Sequence, residues 1–205
     1  MKARRMLVLA LTLSLLGTAT VAASPLWGDY EGFSKAKVYI NNVEKQFADG
    51  DAPAFLIKNN AMIPVRALAD SLQSLVKWDN ANSTINIYKP NVHMIIASEV
   101  DKDYSIKKPF GKVKKGDTLD FAVFAQVDSL NTSISSFKIS IETPTGEQAV
   151  APHEKTVGAQ KDNFWYPWPF TVTFSKAGNY KVKFSVKLDD SSDYTVVAEK
   201  VIVSE

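Results

Sequence analysis

The sequence predicts an α+β protein of two modules, a small β-β-α-β-β unit followed by an all-β sandwich. Near residues 101–108, a mixture of helical and strand-like spacing gives way to almost continuous alternation of apolar and polar residues. The chain has 205 residues, of which 45% are hydrophobic, so it can form one or two hydrophobic cores. It contains no Cys, so apolar burial rather than disulfide bonds must stabilise both modules.

The first module is predicted to place short strands around one amphipathic helix. The apolar residues of this helix recur at i, i+3, i+4 and i+7 and form one stripe, namely Val65, Leu68, Ala69 and Leu72. Pro64 has a fixed φ that suits the first turn of the helix. The predicted strands are one that begins at Val38, a hairpin of 55–57 with 61–65, and a hairpin of 76–78 with 84–88.

These elements resemble the copper amine oxidase N-terminal-like domain, also called the stalk domain. The resemblance depends on the Pro64 to Arg66 step within residues 61–72, on Trp78-Asp79, and on the opening strand at 38–43. It covers residues 36–98. The resemblance implies a stalk-like fold and a non-catalytic module of exported, mostly Gram-positive bacterial proteins.

Two turns depart from the pattern of that family. Asn42 stands where a Gly is common, and Gln73-Ser74 replaces the usual glycine after the helix. Both changes fall in turns, so they leave the apolar pattern of the core intact.

The second module, residues 107–205, has the length and strand spacing of one immunoglobulin-like β-sandwich. Its apolar positions alternate with polar ones in four long runs, at 119–127, 137–141, 170–174 and 180–188. The last run changes phase between Val196 and Val201, which predicts a β-bulge. Gly178-Asn179-Tyr180 is similar to the opening of a late sandwich strand in which the tyrosine forms a corner.

Residues 1–23 have the pattern of a secretory signal peptide. A basic start is followed by an apolar run from Met6 to Leu16 and a small-residue cleavage site, Val21-Ala22-Ala23. The apolar run is short for a membrane span, and no later stretch reaches that length. We therefore expect a secreted or cell-surface protein with no membrane span after cleavage.

The residue types exclude several classes of function. Three imidazoles of a copper amine oxidase site cannot come from His93 and His153, the two histidines of the chain, and no nucleophile turn or phosphate-binding glycine loop occurs. Removal of the leader changes the net charge from +2 to about −1, which does not favour nucleic-acid binding. We therefore expect no catalytic residues, no metal ligands and no cofactor. The acidic run 189–193 fits a solvated hairpin tip better than a calcium loop.

The segment 164–170 contains five aromatic residues and two prolines. Because proline interrupts regular strand pairing, the segment is predicted to be a stiff loop that carries Trp165, Tyr166 and Trp168. These three rings are the candidate binding residues, as a flat platform for a sugar ring or a protein partner. The alternative is that they cap the open end of the sandwich, and the sequence favours neither.

Two charged features have structural explanations that we prefer. Five lysines, at 107, 108, 112, 114 and 115, are typical of a protected sheet edge, although they could also attract anionic wall polymers. Arg66 is predicted to bind an acid such as Asp70, one helical turn later.

The sequence thus predicts an exported, non-catalytic binding or scaffold protein of the cell envelope or extracellular space. Its expected partner is an envelope glycan or a surface protein. The alternative is a secreted protease inhibitor that presents the loops 144–146 and 165–169 to a protease cleft. A third interpretation, an enzyme, would require a carboxylate pair that the sequence does not reveal.

Overall fold

The computed structural model describes residues 26–160 and 162–205, and the predicted signal peptide lies outside this part of the chain. The described residues are mostly β-structure, with one short helix among them. The chain divides into two compact units, Met1–Pro64 and Val65–Glu205, which are described separately. No helix of the described residues has the length and apolarity needed to cross a membrane.

The N-terminal unit, as far as it is described, contains three antiparallel hairpins. Their strands are β1 (Asp29–Tyr30), β2 (Phe33–Ser34), β3 (Tyr39–Ile40), β4 (Val43–Glu44), β5 (Phe55–Ile57) and β6 (Asn60–Met62). The β3–β4 turn has Asn41 at φ 51° and Asn42 at φ 65°. Asparagine tolerates this left-handed conformation better than most residues, so Asn42 can replace the glycine that is common at this turn.

The C-terminal unit begins with the helix α1 (Val65–Ser71) and the hairpin of β7 (Leu75–Asp79) with β8 (Thr84–Tyr88). Gln73 ends the helix in the left-handed region at φ 56°, and the N–H of Ser74 donates to the carbonyl of Ala69 at 2.8 Å. This is the helix-terminating geometry that glycine usually provides. The predicted apolar stripe is shorter than expected, since Leu72 follows the helix end and is 48% exposed.

Two packed sheets form the rest of the C-terminal unit. One contains, in spatial order, β10 (Ile106–Pro109), β9 (Asn91–Val100), β12 (Thr118–Asp128) and β15 (Phe164–Thr173). The other contains β11 (Lys112–Val113), β17 (Thr195–Ser204), β16 (Gly178–Lys187), β13 (Ile134–Glu142) and β14 (His153–Gln160). The inward side chains of both sheets form one hydrophobic cluster, so the predicted sandwich is confirmed.

The sandwich also contains a strand that the sequence pattern assigned to the first module. β9 pairs with β12 from Ala97 opposite Ala122 to Asn91 opposite Asp128. Met94 and Ile96 of β9 belong to the hydrophobic cluster between the sheets. The domain bounds 36–98 and 107–205 remain predictions, and the structure adds that 91–100 contributes a strand to the sandwich.

Two local predictions for the sandwich are confirmed. Tyr180 is fully buried, and its hydroxyl accepts a hydrogen bond from the N–H of Lys176 at 3.0 Å, which forms the predicted tyrosine corner. Gly178 opens β16 at φ 124°, and a Cβ there would lie 3.0 Å from Pro144, so glycine is required on both grounds. The predicted bulge lies in β17, where the register with β16 shifts between Ala198 and Val196.

Candidate functional site

The aromatic segment is a regular edge strand, so the prediction of a loop over residues 164–170 is wrong. β15 pairs with β12 without interruption from Phe164 opposite Val127 to Thr173 opposite Thr118, and β15 is the last strand of its sheet. Pro167 and Pro169 are two residues apart, so both lack the N–H that would point away from β12. An edge strand has no partner on that side, and therefore the two prolines leave the ladder intact.

Strand geometry separates the three candidate rings onto two faces of the sheet. Tyr166 and Trp168 point inward with Phe170, whereas Trp165 points outward with the two prolines. The structure therefore does not bring Trp165, Tyr166 and Trp168 together as one flat platform. Their role in binding remains a prediction, and it now has to be considered for each ring separately.

Trp165 is half exposed and is held by two other aromatic side chains. Its ring lies edge-on to Tyr104 at 5.6 Å and to Phe124 at 6.1 Å between centroids. Tyr104 comes from the turn between β9 and β10 and also contacts Phe124 at 5.9 Å. Trp165 keeps 50% of its surface exposed, while Phe124 beneath it is 4% exposed. The indole is thus fixed in place with one part free for contact.

Tyr166 and Trp168 close the side of the sandwich where the edge strands β14 and β15 face each other. The ring of His153, on β14, stacks on Trp168 at 3.4 Å and on Tyr166 at 5.6 Å between centroids. Nε2 of His153 and the hydroxyl of Tyr166 are 2.8 Å apart and share a hydrogen bond. Tyr166 also packs edge-on against the core residue Phe137 at 4.7 Å. These contacts match the capping alternative for these two rings.

The environment of this stack shifts two pKa values. Burial, with a smaller contribution from the charge of Lys155, lowers the pKa of His153 below its ordinary value. Burial raises the pKa of the Tyr166 hydroxyl. The ammonium of Lys155 lies 4.7 Å from the centre of the Tyr166 ring, in cation–π contact. His153 is therefore favoured in its neutral form, which fits a ring that stacks on Trp168 and hydrogen-bonds to Tyr166.

The outer face of the β9–β12–β15 sheet carries an open groove of about 550 Å³. The groove forms because the β9–β12 ladder ends at Ala97 and Ala122, beyond which the two strands diverge. Ala122, Pro167 and Pro169 provide the outward apolar side chains along it, and the diverging end of β9 contributes 98–100. Volumes in this range are typical of sites for small molecules.

The polar side chains of the groove are hydrogen-bond acceptors and hydroxyls. Asp120 accepts a hydrogen bond from the hydroxyl of Thr171, with 2.6 Å between the two oxygens. Glu99 and Ser98 line the opposite wall. The described lining contains two carboxylates and no Lys, Arg or His side chain. The charged side chains that line the groove are therefore acidic, and Lys107, paired with Glu99 across β10 and β9, is a neighbouring cation.

Sequence reasoning missed this outer face, although a signal was present. The alternation in β12 assigns Phe121, Val123, Ala125 and Val127 to the core, which leaves Phe124 at a position expected to be polar. A large aromatic residue on the solvent side of a strand indicates a second apolar surface. The proline pair on β15 extends the same surface, but only the pairing with β12 reveals this.

The other candidates have local structural roles. Lys107 forms a salt bridge with Asp101 at 2.6 Å and Lys112 with Glu205 at 2.9 Å, both at strands that end a sheet, as edge protection requires. The Asp189 carboxylate accepts hydrogen bonds from Ser191 and Ser192, which hold its pKa below the ordinary value at the hairpin tip. Among the described residues no cluster of three or more His, Cys, Asp or Glu side chains is placed to hold a metal ion.

Arg66 does not form the predicted ion pair with Asp70 within salt-bridge distance. Both residues are exposed and line a polar cavity of about 470 Å³ together with Ser192 and Asp193. The helix and the β16–β17 connection thus lie on opposite sides of this cavity.

Comparison with known proteins supports the resemblance of the first region to the copper amine oxidase N-terminal-like domain. Residues 38–107 match the Copper amine oxidase N-terminal domain family. The match to this domain covers about a third of the chain and confirms the resemblance found in the sequence. The Copper amine oxidase N-terminal domain is a non-catalytic part of its family, so the match assigns no reaction to the chain.

Two solved structures of a CARDB domain from Pyrococcus furiosus are similar to part of this chain. The crystal structure, determined in complex with di-metal ions, has 14% identity and a TM-score of 0.36, and covers 63% of this chain and 99% of that chain. The solution NMR structure has 14% identity and a TM-score of 0.29, and covers 57% of this chain and 98% of that chain. None of the curated proteins compared with the chain matches it.

Proposed function

We propose that this protein is an exported, non-catalytic binding module of the cell envelope or extracellular space. In this proposal, the outer face of the β9–β12–β15 sheet contacts an envelope glycan or a surface protein. The observation that carries the proposal is the half-exposed Trp165, held by Tyr104 and Phe124 and two residues along β15 from Pro167 of the groove. Exposed aromatic side chains in such a setting are typical of binding hot spots.

The packing around Trp165 supports binding because it limits the entropy lost when a ligand is bound. A tryptophan has only two rotatable side-chain bonds, and the edge-on contacts with Tyr104 and Phe124 restrict them further. The pairing of Trp165 with Gln126 on β12 fixes the backbone as well. A ligand would therefore meet an indole that already has its bound orientation.

Tyr166 and Trp168 have an indirect role in this proposal. They point into the sandwich, and their stack with His153 joins β15 to β14 of the opposite sheet. In this proposal the stack adds to the β12 ladder in holding β15, and so supports the position of Trp165 on the outer face. We therefore assign ligand contact to Trp165 and support of the strand to Tyr166 and Trp168.

The proposal is tested by substituting Trp165 in a binding assay. We expect Trp165→Ala to weaken binding to isolated envelope glycan or envelope proteins by about tenfold or more, because truncation removes a hot-spot ring. Trp78→Ala is the matched control, since Trp78 is 47% exposed but lies on β7, outside the sandwich sheets. Equal binding by the Trp165 variant and the unaltered protein would contradict the proposal.

Export is tested separately by following the chain in a Gram-positive expression host. We expect the protein in the culture medium or on the cell surface, with Ser24 as its first residue, as the predicted cleavage site requires. Retention of the whole chain in the cytoplasm, with Met1 still present, would argue against an exported protein.

A further inference from the structure

We propose that the groove beside Trp165 binds a hexopyranose chain that carries free amines, such as chitosan oligosaccharide. This inference rests on the proposed function and names the ligand class of the same surface. It is carried by three properties of the groove: its apolar floor, its acidic lining and the missing backbone donors of β15.

The floor of the groove suits the face of a sugar ring. Cross-strand pairs place Ala122 beside Pro169 and Phe124 beside Pro167 on the outer face. Ala122, whose side chain is a single methyl group, lines the groove beside these pairs. Pyrrolidine rings and an exposed indole offer flat apolar surfaces against which the C–H groups of a pyranose can pack. Pro167 lines the groove and lies two residues along β15 from Trp165 on the same face, so a chain of several sugar rings could extend from the groove to the indole.

The polar walls select a ligand that donates hydrogen bonds and is not negatively charged. Asp120 uses one carboxylate oxygen, Oδ1, to accept from Thr171, which orients the carboxylate on the groove wall. Glu99 adds a second carboxylate on the other wall; its cross-strand neighbour Lys107 lies outside the lining and forms a salt bridge with Asp101. An anionic polymer would be repelled, whereas a protonated amine can form charge-assisted hydrogen bonds. Charge complementarity therefore favours an amino sugar over a uronic acid or phosphate polymer.

The backbone of β15 argues against an extended peptide as the ligand. Peptides commonly add to an exposed sheet edge through main-chain hydrogen bonds. At this edge the outward N–H groups are missing at Pro167 and Pro169, next to the groove. A peptide strand would lose two backbone hydrogen bonds where it met the groove. A ligand that binds through side-chain surfaces loses nothing by this arrangement.

The test compares three oligosaccharides by titration calorimetry with the processed chain at about pH 5.5, where the sugar amines are protonated. The probes are chitosan oligosaccharide, its fully N-acetylated counterpart of the same length, and oligogalacturonate. We expect the amine-bearing chain to bind most tightly, the N-acetylated chain about tenfold or more weakly, and the anionic chain not to bind detectably.

Substitution of Asp120 locates the recognition in the groove. We expect Asp120→Asn to weaken chitosan binding by about tenfold and to reduce the preference for amines, because the neutral amide cannot form the charge-assisted bond. Asp190→Asn is the matched control: it makes the same charge change at the exposed β16–β17 hairpin tip. If thermal unfolding shows that the Asp120 variant does not fold, Glu99→Gln on the opposite wall replaces it, with the same expected result.

Three results would overturn the inference. The first is equal binding of the amine-bearing and N-acetylated chains; the second is chitosan binding that Asp120→Asn leaves unchanged. The third is that chitosan does not bind, whereas a lysine-rich peptide binds and loses affinity on Asp120→Asn. This result would indicate that the groove binds a protein. In each case, loss of envelope binding on Trp165→Ala would show that the proposed function still holds, and unchanged envelope binding would remove both.

Discussion

The sandwich and the hairpins of the N-terminal unit both alternate apolar and polar residues, but they differ in how many side chains they bury. In the sandwich, strands of up to 11 residues bury side chains from both sheets, and Phe137, Phe184 and Tyr180 are almost fully buried. In the described residues 26–64, the strands are two or three residues long, and Ala54 is the one buried hydrophobic side chain. A short hairpin presents too little apolar surface to form a core alone.

The comparison shows that strand length, and not only pattern, decides where folding free energy is concentrated. Each long strand places several alternate side chains between the sheets, so the burial of each one adds to a common core. In the N-terminal unit the aromatic contacts are local: Phe55 lies 5.5 Å from Tyr30 and 5.8 Å from Phe33 between centroids. The core of the sandwich lies between its two sheets, so the outer faces of the sheets are not needed for stability and can carry a binding surface.

The largest effect is expected from truncating one phenylalanine in each region. Phe137 is 1% exposed and stacks on Phe164 and Phe184, so Phe137→Ala should lower the free energy of unfolding by about 3–5 kcal/mol. Phe55→Ala removes the same side chain from a half-buried position and should cost about 1–2 kcal/mol. Urea unfolding followed by tryptophan fluorescence measures both. Equal losses would show that the N-terminal hairpins share the stability of the sandwich core.

A smaller effect is expected at the tyrosine corner, within the sandwich itself. Tyr180→Phe keeps the buried ring but removes the acceptor for the Lys176 N–H, so the free energy of unfolding should fall by about 1–2 kcal/mol. Tyr194→Phe is the control, because the Tyr194 hydroxyl is partly exposed and its longer bonds to Ser136 and Glu154 can be replaced by water. Thermal unfolding should rank the Tyr180 variant as clearly less stable. The reverse ranking would contradict a structural role for the corner.

Much of this sandwich could be predicted because most positions of its long strands follow the alternation rule, with Phe124 of β12 and Ile134 of β13 as exceptions. The runs that correspond to β12, β13 and β16 place mostly apolar side chains inward. Gly178, with its positive φ, marks the turn at which β16 begins. The family resemblance of the first region depends on short motifs such as Trp78-Asp79. The family match over residues 38–107 confirms this resemblance.

The errors concern pairing between strands that are distant in sequence. Proline interrupts the hydrogen-bond ladder of a strand that has a neighbouring strand on each side. The residues around Pro167 do not reveal that β15 has a neighbouring strand on one side only. The separation of Trp165 from Tyr166 and Trp168 follows once the segment is a strand, because neighbouring side chains then point to opposite faces. The outward Phe124 and the groove depend in turn on β9, whose partner is chosen by the tertiary fold.

The smallest expected effect is a pH dependence of the free energy of unfolding. It arises at His153, where the edge strands β14 and β15 of the two sheets face each other. Burial keeps the pKa of His153 below its value in the unfolded chain, which is about 6.5. The unfolded chain therefore binds more protons than the folded one as the pH falls below about 6.5, so the folded state loses stability until the pH is below the folded pKa. His153→Phe keeps an aromatic ring against Trp168 but removes the titrating group, and should abolish this part of the pH dependence.

The control for this prediction is His93→Gln, since His93 is exposed on β9 and makes none of the stacking contacts. Unfolding in urea at a series of pH values from about 7.5 to 5 measures the change. We expect the unaltered protein and the His93 variant to lose stability in parallel as the pH falls, and the His153 variant to lose less. If all three curves run in parallel, protonation of His153 is not resisted by its stack. In that case burial of the His153 ring beside Trp168 would not lower its pKa.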